Sequence, residues 1–206
     1  MPSPRKKPLS AKAAPLHALY ENSVQESEGL LDFIAGVYRR SRGRQPHRFR
    51  EDFCGTALLS ATWVQRSRNH YAWGIDVDEA ILEWSREHHL SCLGKAEDRI
   101  SLLCGDVMTT RTPQVDIVGA FNFSFNVFKE RETLLHYFST VRETLNDGGI
   151  LFLDEFGGPE SHSKIIDKRH ISGATMPDGT PLQSFTYIWD QCEYNPLSHE
   201  IRCHIH

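Results

Sequence analysis

Arg50-Glu51-Asp52-Phe53-Cys54-Gly55-Thr56-Ala57, followed about twenty residues later by Gly74-Ile75-Asp76, is the stretch that decides the fold. A strand runs into charged residues and a tight glycine turn, and a helix follows. A second strand then ends on a lone carboxylate. This layout suits a ligand with an anionic or zwitterionic tail at the turn and a ribose at the carboxylate, and a nucleoside cofactor meets both requirements.

Working outward, strands and helices alternate. His47 to Phe53 reads as a first strand whose poor apolar content points its end at a ligand rather than the core. Ala57 to Arg66 reads as a helix, Tyr71 to Asp76 as a second strand, and Glu79 to His89 as a helix with Asp78 at its N-cap. Ile100 to Cys104 and Val115 to Phe121 are the third and fourth strands, the fourth nearly continuously apolar, as in a strand covered on both faces. Glu130 to Leu145 carries Leu134, Leu135, Phe138, Val141 and Leu145 on one helical stripe, with Asp147-Gly148-Gly149 ending it and Ile150 to Phe156 as a fifth strand. Upstream, Leu30, Phe33, Ile34, Val37 and Tyr38 repeat at helical spacing behind Ser27 as cap. Downstream of Gly157-Gly158-Pro159, Phe185 to Tyr194 and Glu200 to His206 read as an antiparallel hairpin. The expected fold is α/β, a Rossmann-like three-layer sandwich with a mostly parallel seven-stranded sheet ending in that hairpin.

The 206 residues suit one domain. The expected division is a flexible tail over 1–16, an N-terminal helical cap over 17–46, a cofactor-binding core over 47–156 and an acceptor-side segment over 157–206. Hydrophobic content of 39% and charged content of 24% describe a globular chain. Met1 to Ala14 lacks an apolar signal core, which argues against secretion and for a mobile tail, with a cleaved organelle-targeting segment as the alternative. No apolar run spans a bilayer, so no membrane partner is expected. The net charge of −4 and the short runs Arg39-Arg40 and Arg42-Arg44 give no footprint for nucleic acid. Five cysteines without a paired CxxC suit reduced thiols in a cytoplasmic protein.

Polar or glycine residues close four strands: Glu51, Asp52, Cys54 and Gly55; Asp76; Gly105 and Asp106; Asn122 and Ser124. Ligands of open parallel sheets bind beyond such ends. Gly55 admits a ligand close to the backbone, and the amides of Thr56 and Ala57 can donate to a carboxylate or phosphate. Asp76 can accept two ribose hydroxyls, since Asp78 is better placed to cap. Asp106 can accept from an adenine amine, or it forms a plain loop turn. Cys203, His204, His206 and His199 raise the question of a metal. Strand alternation puts His204 and His206 on one side and Cys203 on the other, no four-ligand set appears, and no metal is expected.

From about Tyr20 to Phe156, and on to the closing Arg202-Cys203-His204-Ile205-His206, the chain resembles the class I S-adenosylmethionine-dependent methyltransferases. Their first motif reads acidic-x-Gly-x-Gly-x-Gly. Glu51, Phe53, Gly55 and Ala57 stand at its positions, so two glycines are replaced. Gly74-Ile75-Asp76, Cys104-Gly105-Asp106-Val107 and Ala120-Phe121-Asn122-Phe123-Ser124 look like the second, third and fourth motifs, and Leu145 to Leu151 like the helix-to-fifth-strand turn. The whole string resembles a bacterial-type subgroup with unassigned substrates. The resemblance implies S-adenosylmethionine as cofactor, S-adenosylhomocysteine as product and a small-molecule methyl acceptor, with a homodimer possible. It implies that Glu51, Cys54, Gly55 and Thr56 hold the methionine end, Arg50 its carboxylate, Asp76 and Val77 the ribose and an adenine face, and Asp106 and Val107 the adenine edge. Phe121 and Asn122 would border the sulfonium, and Tyr20 would close over the cofactor. No residue is plainly a catalytic base; Glu155, His170 and Tyr187 are candidates, each with a structural role as the alternative. A methyltransferase-like module that binds the cofactor or a protein partner without catalysis is a second reading. A nicotinamide-dependent oxidoreductase is a third, disfavoured by the missing Gly-x-Gly-x-x-Gly.

Overall fold

The computed structural model describes residues 7–206. They form two compact units, Glu26–Glu155 and, in the other, Phe156–His206 with residues 7–25. The first six residues of the expected tail lie outside the described residues. From Leu9 onward the tail is held: Leu9 N donates to Pro181 O (3.0 Å) and Gln183 N to Leu9 O (2.8 Å). Helix α1, Leu16–Val24, follows in the same unit.

The larger unit is a five-stranded parallel sheet in the order β3-β2-β1-β4-β5. The strands are β1 (Arg48–Asp52), β2 (Tyr71–Asp76), β3 (Ile100–Cys104), β4 (Val115–Ala120) and β5 (Leu145–Leu153). Its helices are α2 (Ser27–Arg42), α3 (Leu58–Arg66), α4 (Glu79–His88) and α5 (Arg131–Thr144). Leu31, Ile34 and Tyr38 of α2 and Leu59, Trp63 and Val64 of α3 pack with Phe49, Ala72 and Ile117 in one apolar cluster. Tyr137 and Val141 of α5 pack with Ile75, Val115 and Val118 in another. The two clusters are the two helix layers of a Rossmann-like α/β fold, which the alternating pattern requires. The local signals read from the sequence are present: Asp78 Oδ1 accepts from Ala80 N at 2.9 Å as the α4 N-cap. On α2 the capping side chain is Glu26, one residue earlier than the expected Ser27.

Three expectations are corrected. The parallel sheet has five strands and not seven. The C-terminal segment forms its own antiparallel sheet, β6-β7-β8, of β6 (Ile165–Ile171), β7 (Phe185–Tyr194) and β8 (Ile201–Ile205). β6 carries charge at three of its seven positions and has no apolar alternation; β7 creates it by pairing, with Arg169 opposite Tyr187 and its guanidinium 4.6 Å from that ring. Finally, Asp147-Gly148-Gly149 does not end a helix. α5 stops at Thr144 and the glycines sit inside β5, where Gly148 takes φ 76° and the pairing with β4 shifts register between Val115 and Ile117.

The central strand explains its own odd composition. β1 is paired on both sides, so the charges of Arg50, Glu51 and Asp52 are buried. Arg50 is fully buried: Nε donates to Asp52 Oδ1 (2.6 Å), Nη2 to Val107 O (2.6 Å), and Nη1 to Thr110 O (3.3 Å) and Thr144 Oγ1 (3.4 Å). Tyr137 Oη donates to Asp52 Oδ2 at 2.9 Å. Burial pushes the Asp52 carboxyl up, against the pull of Arg50 and Tyr137. At the other end of the sheet Asp116 gathers Tyr38 Oη, Arg44 Nη1, the His47 and Arg48 amides and Asn146 Nδ2. Burial opposes its ionisation, but these donors outweigh burial and hold its carboxyl below the usual value.

Tyr137→Phe removes one hydrogen bond to a buried carboxylate without changing the apolar packing. It should lower stability by about 1.5–3 kcal/mol in urea unfolding at neutral pH. In an Asp52→Asn background the same change should cost about half as much or less.

Candidate functional site

The five parallel strands all end on one edge of the sheet, and the residues there converge. Cys54 N donates to Ile75 O (2.9 Å) and Gly55 N to Asp76 Oδ2 (2.8 Å), so the turn after β1 is stitched to the end of β2. Asp76 Oδ1 accepts from Asp78 N (3.0 Å), and Asp76 O accepts from Gly105 N (2.8 Å), which joins the end of β3. Each Asp76 oxygen thus spends one acceptor site on the chain and keeps another. Val77, beside it, is 73% exposed, an apolar side chain standing at a polar edge.

The turn itself keeps a conformation its sequence disguises. Phe53, Gly55 and Ala57 take φ of 58°, 52° and 53°. These are the three positions where the resemblance expects glycine. Two of them hold left-handed backbone with a Cβ, which costs on the order of 1–2 kcal/mol each. The Phe53 ring is turned toward α5, 5.8 Å from Phe128 and 6.2 Å from Tyr137 between centroids. A Cβ built on Gly55 would meet nothing nearer than Ile81 Cδ1 at 3.6 Å. Thr56 Oγ1 is buried with no hydrogen-bond partner. Ala57, the N-cap residue of α3, has no capping side chain of its own, and the Ser60 amide in the first turn is taken by Glu51 Oε2. The Ala57 amide, expected to face a ligand, donates instead to Cys54 O at 2.8 Å.

Glu51 faces the α3 side of β1. Its Oε2 accepts from Ser60 N (3.0 Å) and Ser60 Oγ (2.5 Å). Burial pushes its carboxyl up to about 7, although Ser60 pulls it down. Cys54 is buried, and burial with the nearby Glu51 and Asp76 charges raises its thiol well above the ordinary value, so it stays protonated.

Two assignments change. Arg50 cannot pair with a ligand carboxylate, because its guanidinium is enclosed and bonded to Asp52, Val107, Thr110 and Thr144. Phe121 folds its ring back over Gly119, against Phe49, into the core. At the third strand end Asp106 Oδ1 accepts from Met108 N (2.7 Å), forming the loop turn that was its alternative reading, while the Val107 side chain is buried. Asn122 remains exposed at the end of β4. Tyr20 lies on α1 in the other unit, as do His170, exposed on β6, and Tyr187, buried on β7.

Sequence reasoning missed Asp154. It follows β5, and its two oxygens accept from the Asn122 and Phe123 amides at 2.8 Å each. Those residues take φ of 55° and 59°, so the carboxylate clamps a strained turn. The strand-end rule that found Asp76 would have found it, since it directly follows the apolar run Ile150 to Leu153. Beside it Glu155 Oε1 accepts from Asn126 Nδ2 at 3.1 Å.

No family model and no curated protein matches the chain. Solved structures do. CalS10, an amino pentose methyltransferase of Micromonospora echinaspora seen with S-adenosylmethionine, is 14% identical with a TM-score of 0.66, over 92% of this chain and 79% of that one. The sugar N-methyltransferase KedS8 of Streptoalloteichus sp. ATCC 53650 is 12% identical with a TM-score of 0.63, over 94% and 77%. An S-adenosylmethionine-dependent methyltransferase of Clostridium acetobutylicum ATCC 824 is 13% identical with a TM-score of 0.60, over 92% and 77%. The chain therefore has the fold of these methyltransferases.

Glu51 makes stability depend on pH in a defined direction. Its folded-state value of about 7 lies above the ordinary 4.5. The folded state therefore binds more protons between those values, and stability falls as pH rises through the window. At about 1.4 kcal/mol per unit the loss attributable to Glu51 is roughly 3 kcal/mol. Glu51→Gln should remove this component, so that the wild-type-minus-variant difference in urea unfolding free energy declines between pH 4.5 and 7 and then levels.

Proposed function

We propose that this chain transfers a methyl group from S-adenosylmethionine to a small-molecule acceptor, with an amine as the atom methylated. The observation that carries the reading is the left-handed turn over Phe53–Ala57, stitched to Asp76 at the edge where five parallel strands end. The residues fit the cofactor. A buried hydroxyl without a partner at Thr56 and the missing Cβ at Gly55 suit the methionine end. Glu51 supplies a carboxylate whose raised value a neighbouring ammonium would bring down. Asp76 offers its remaining acceptor sites to ribose hydroxyls, and exposed Val77 offers apolar contact to a base. Asp106 and the Val107 backbone, in the loop after β3, would hold the base edge, and Asn122, exposed after β4, would border the transferable group.

When bound, the cofactor supplies an electrophilic methyl on a sulfonium. The chain's task is then to orient the acceptor and exclude water. An amine brings its own lone pair and needs no strong base, whereas a hydroxyl must be activated. Two of the groups buried near the turn do not supply that activation: the Cys54 thiol is held protonated, and burial beside Asp52 raises the Tyr137 phenol far above its usual value. KedS8, of the same fold, is a sugar N-methyltransferase by its name and CalS10 an amino pentose methyltransferase, which supports an amine acceptor here.

Calorimetry should show one equivalent of S-adenosylmethionine or S-adenosylhomocysteine bound. Asp76→Asn keeps an acceptor for the Gly55 amide and should weaken binding about tenfold with little change in Tm. No binding at millimolar cofactor would overturn the proposal. For the acceptor, incubation with paired amino and hydroxy sugars should give a 14-Da mass gain on the amine alone, about the mass of one methylene.

A further inference from the structure

We propose that Asp190, His204 and His206 form a binding site for one divalent transition-metal ion of the zinc type, on the antiparallel sheet of the C-terminal unit. Alternation along β8 puts His204 and His206 on one face, which supplies only two donors. The third comes from the neighbouring strand: Asp190 of β7 lies directly opposite His204. One donor atom from each of the three lies within 4.8 Å of the others, and His206 Nε2 is 3.7 Å from Asp190 Oδ2. The imidazole rings meet edge to face with centroids 6.1 Å apart.

The backbone holds these donors in register. His206 N donates to Ile188 O (3.0 Å) and Ile188 N to His206 O (2.9 Å), which holds His206, one residue past β8, against β7. Bonds of about 2.0–2.2 Å to a tetrahedral ion require donor atoms about 3.4 Å apart. The existing spacing comes within reach of that by rotation of side chains that are partly exposed, 57% for His206 and 27% for Asp190. Two imidazoles and one carboxylate are borderline donors, suited to zinc, cobalt or nickel and poorly suited to magnesium or calcium. Three protein ligands leave at least one position for water or a small ligand. Cys192, the extra residue where the β7–β8 register shifts, stands beside the site with Sγ 4.0 Å from His204 Nδ1. Its thiol donates to Arg202 O at 3.4 Å, and it is not one of the proposed ligands.

The full chain, stripped with a chelator, is titrated with zinc chloride alone by calorimetry and with cobalt chloride by visible absorption. One equivalent should bind in the micromolar range or tighter, with a raised Tm. His204→Ala and His206→Ala should each weaken zinc at least tenfold and abolish the Tm rise, Asp190→Asn should weaken it severalfold, and His162→Ala and Cys192→Ser should leave it unchanged. The exposed positions make these variants foldable, and circular dichroism with Tm in the absence of metal checks that. No binding below millimolar zinc, or binding that survives loss of both histidines, overturns the proposal.

Discussion

Arg50 and Asp52, two residues apart on the middle strand and both fully buried, form the ion pair on which the rest of the sheet depends. An unpaired charge there would cost several kcal/mol in desolvation. The cost is offset because each guanidinium nitrogen has an acceptor. Arg50 reaches the carbonyls of Val107 and Thr110 and the Thr144 hydroxyl, and Asp52 takes the Tyr137 phenol. One pair thus ties β1 to the loop after β3 and to α5. The alternative of an apolar strand would pack as well, but it would not fix where the loop after β3 lies. That loop carries Asp106, so the pair reaches the functional edge without touching a ligand.

The same edge is built from strain and clamps rather than from permissive residues. Phe53 and Ala57 hold left-handed backbone that glycine would hold at lower cost, and Asn122 and Phe123 do so at the end of β4. Each strained turn has a carboxylate beside it: Asp76 on the Gly55 amide, Asp154 on the Asn122 and Phe123 amides. The replaced glycines therefore leave a left-handed backbone at the same positions. The Phe53 side chain finds its place against Phe128 and Tyr137, on the α5 side, and leaves the turn's path intact.

The C-terminal sheet follows different rules. Its strands carry charge and histidine outward, and its order comes from cross-strand pairing. A single buried amide does much of the anchoring: the two N–H of Gln191 Nε2 are shared among the carbonyls of Glu160, Ser161 and Ser163, holding the segment before β6 to β7. Pairing of this kind assembles groups that are far apart in the chain, as it does for Asp190 and the two histidines.

The sequence by itself determined the alternation of β1 to β5 with their helices, the parallel order that alternation implies, the Asp78 cap and the strand-end positions of Gly55, Asp76, Asp106 and Asn122. These are local signals of period, capping and turn chemistry, and each is written within a few residues. It also carried the family resemblance, which the fold shares. The tertiary structure alone decided that β1's charges are spent inward, that Phe121 turns into the core, that Asp154 clamps the fourth strand's turn, and that the last strands form their own sheet around a charged β6. Each of these depends on what lies across a strand or under a helix. Side-chain direction and partner are set by packing between segments distant in sequence, and a charged residue reads the same on the page whether it faces a ligand or a buried counter-charge.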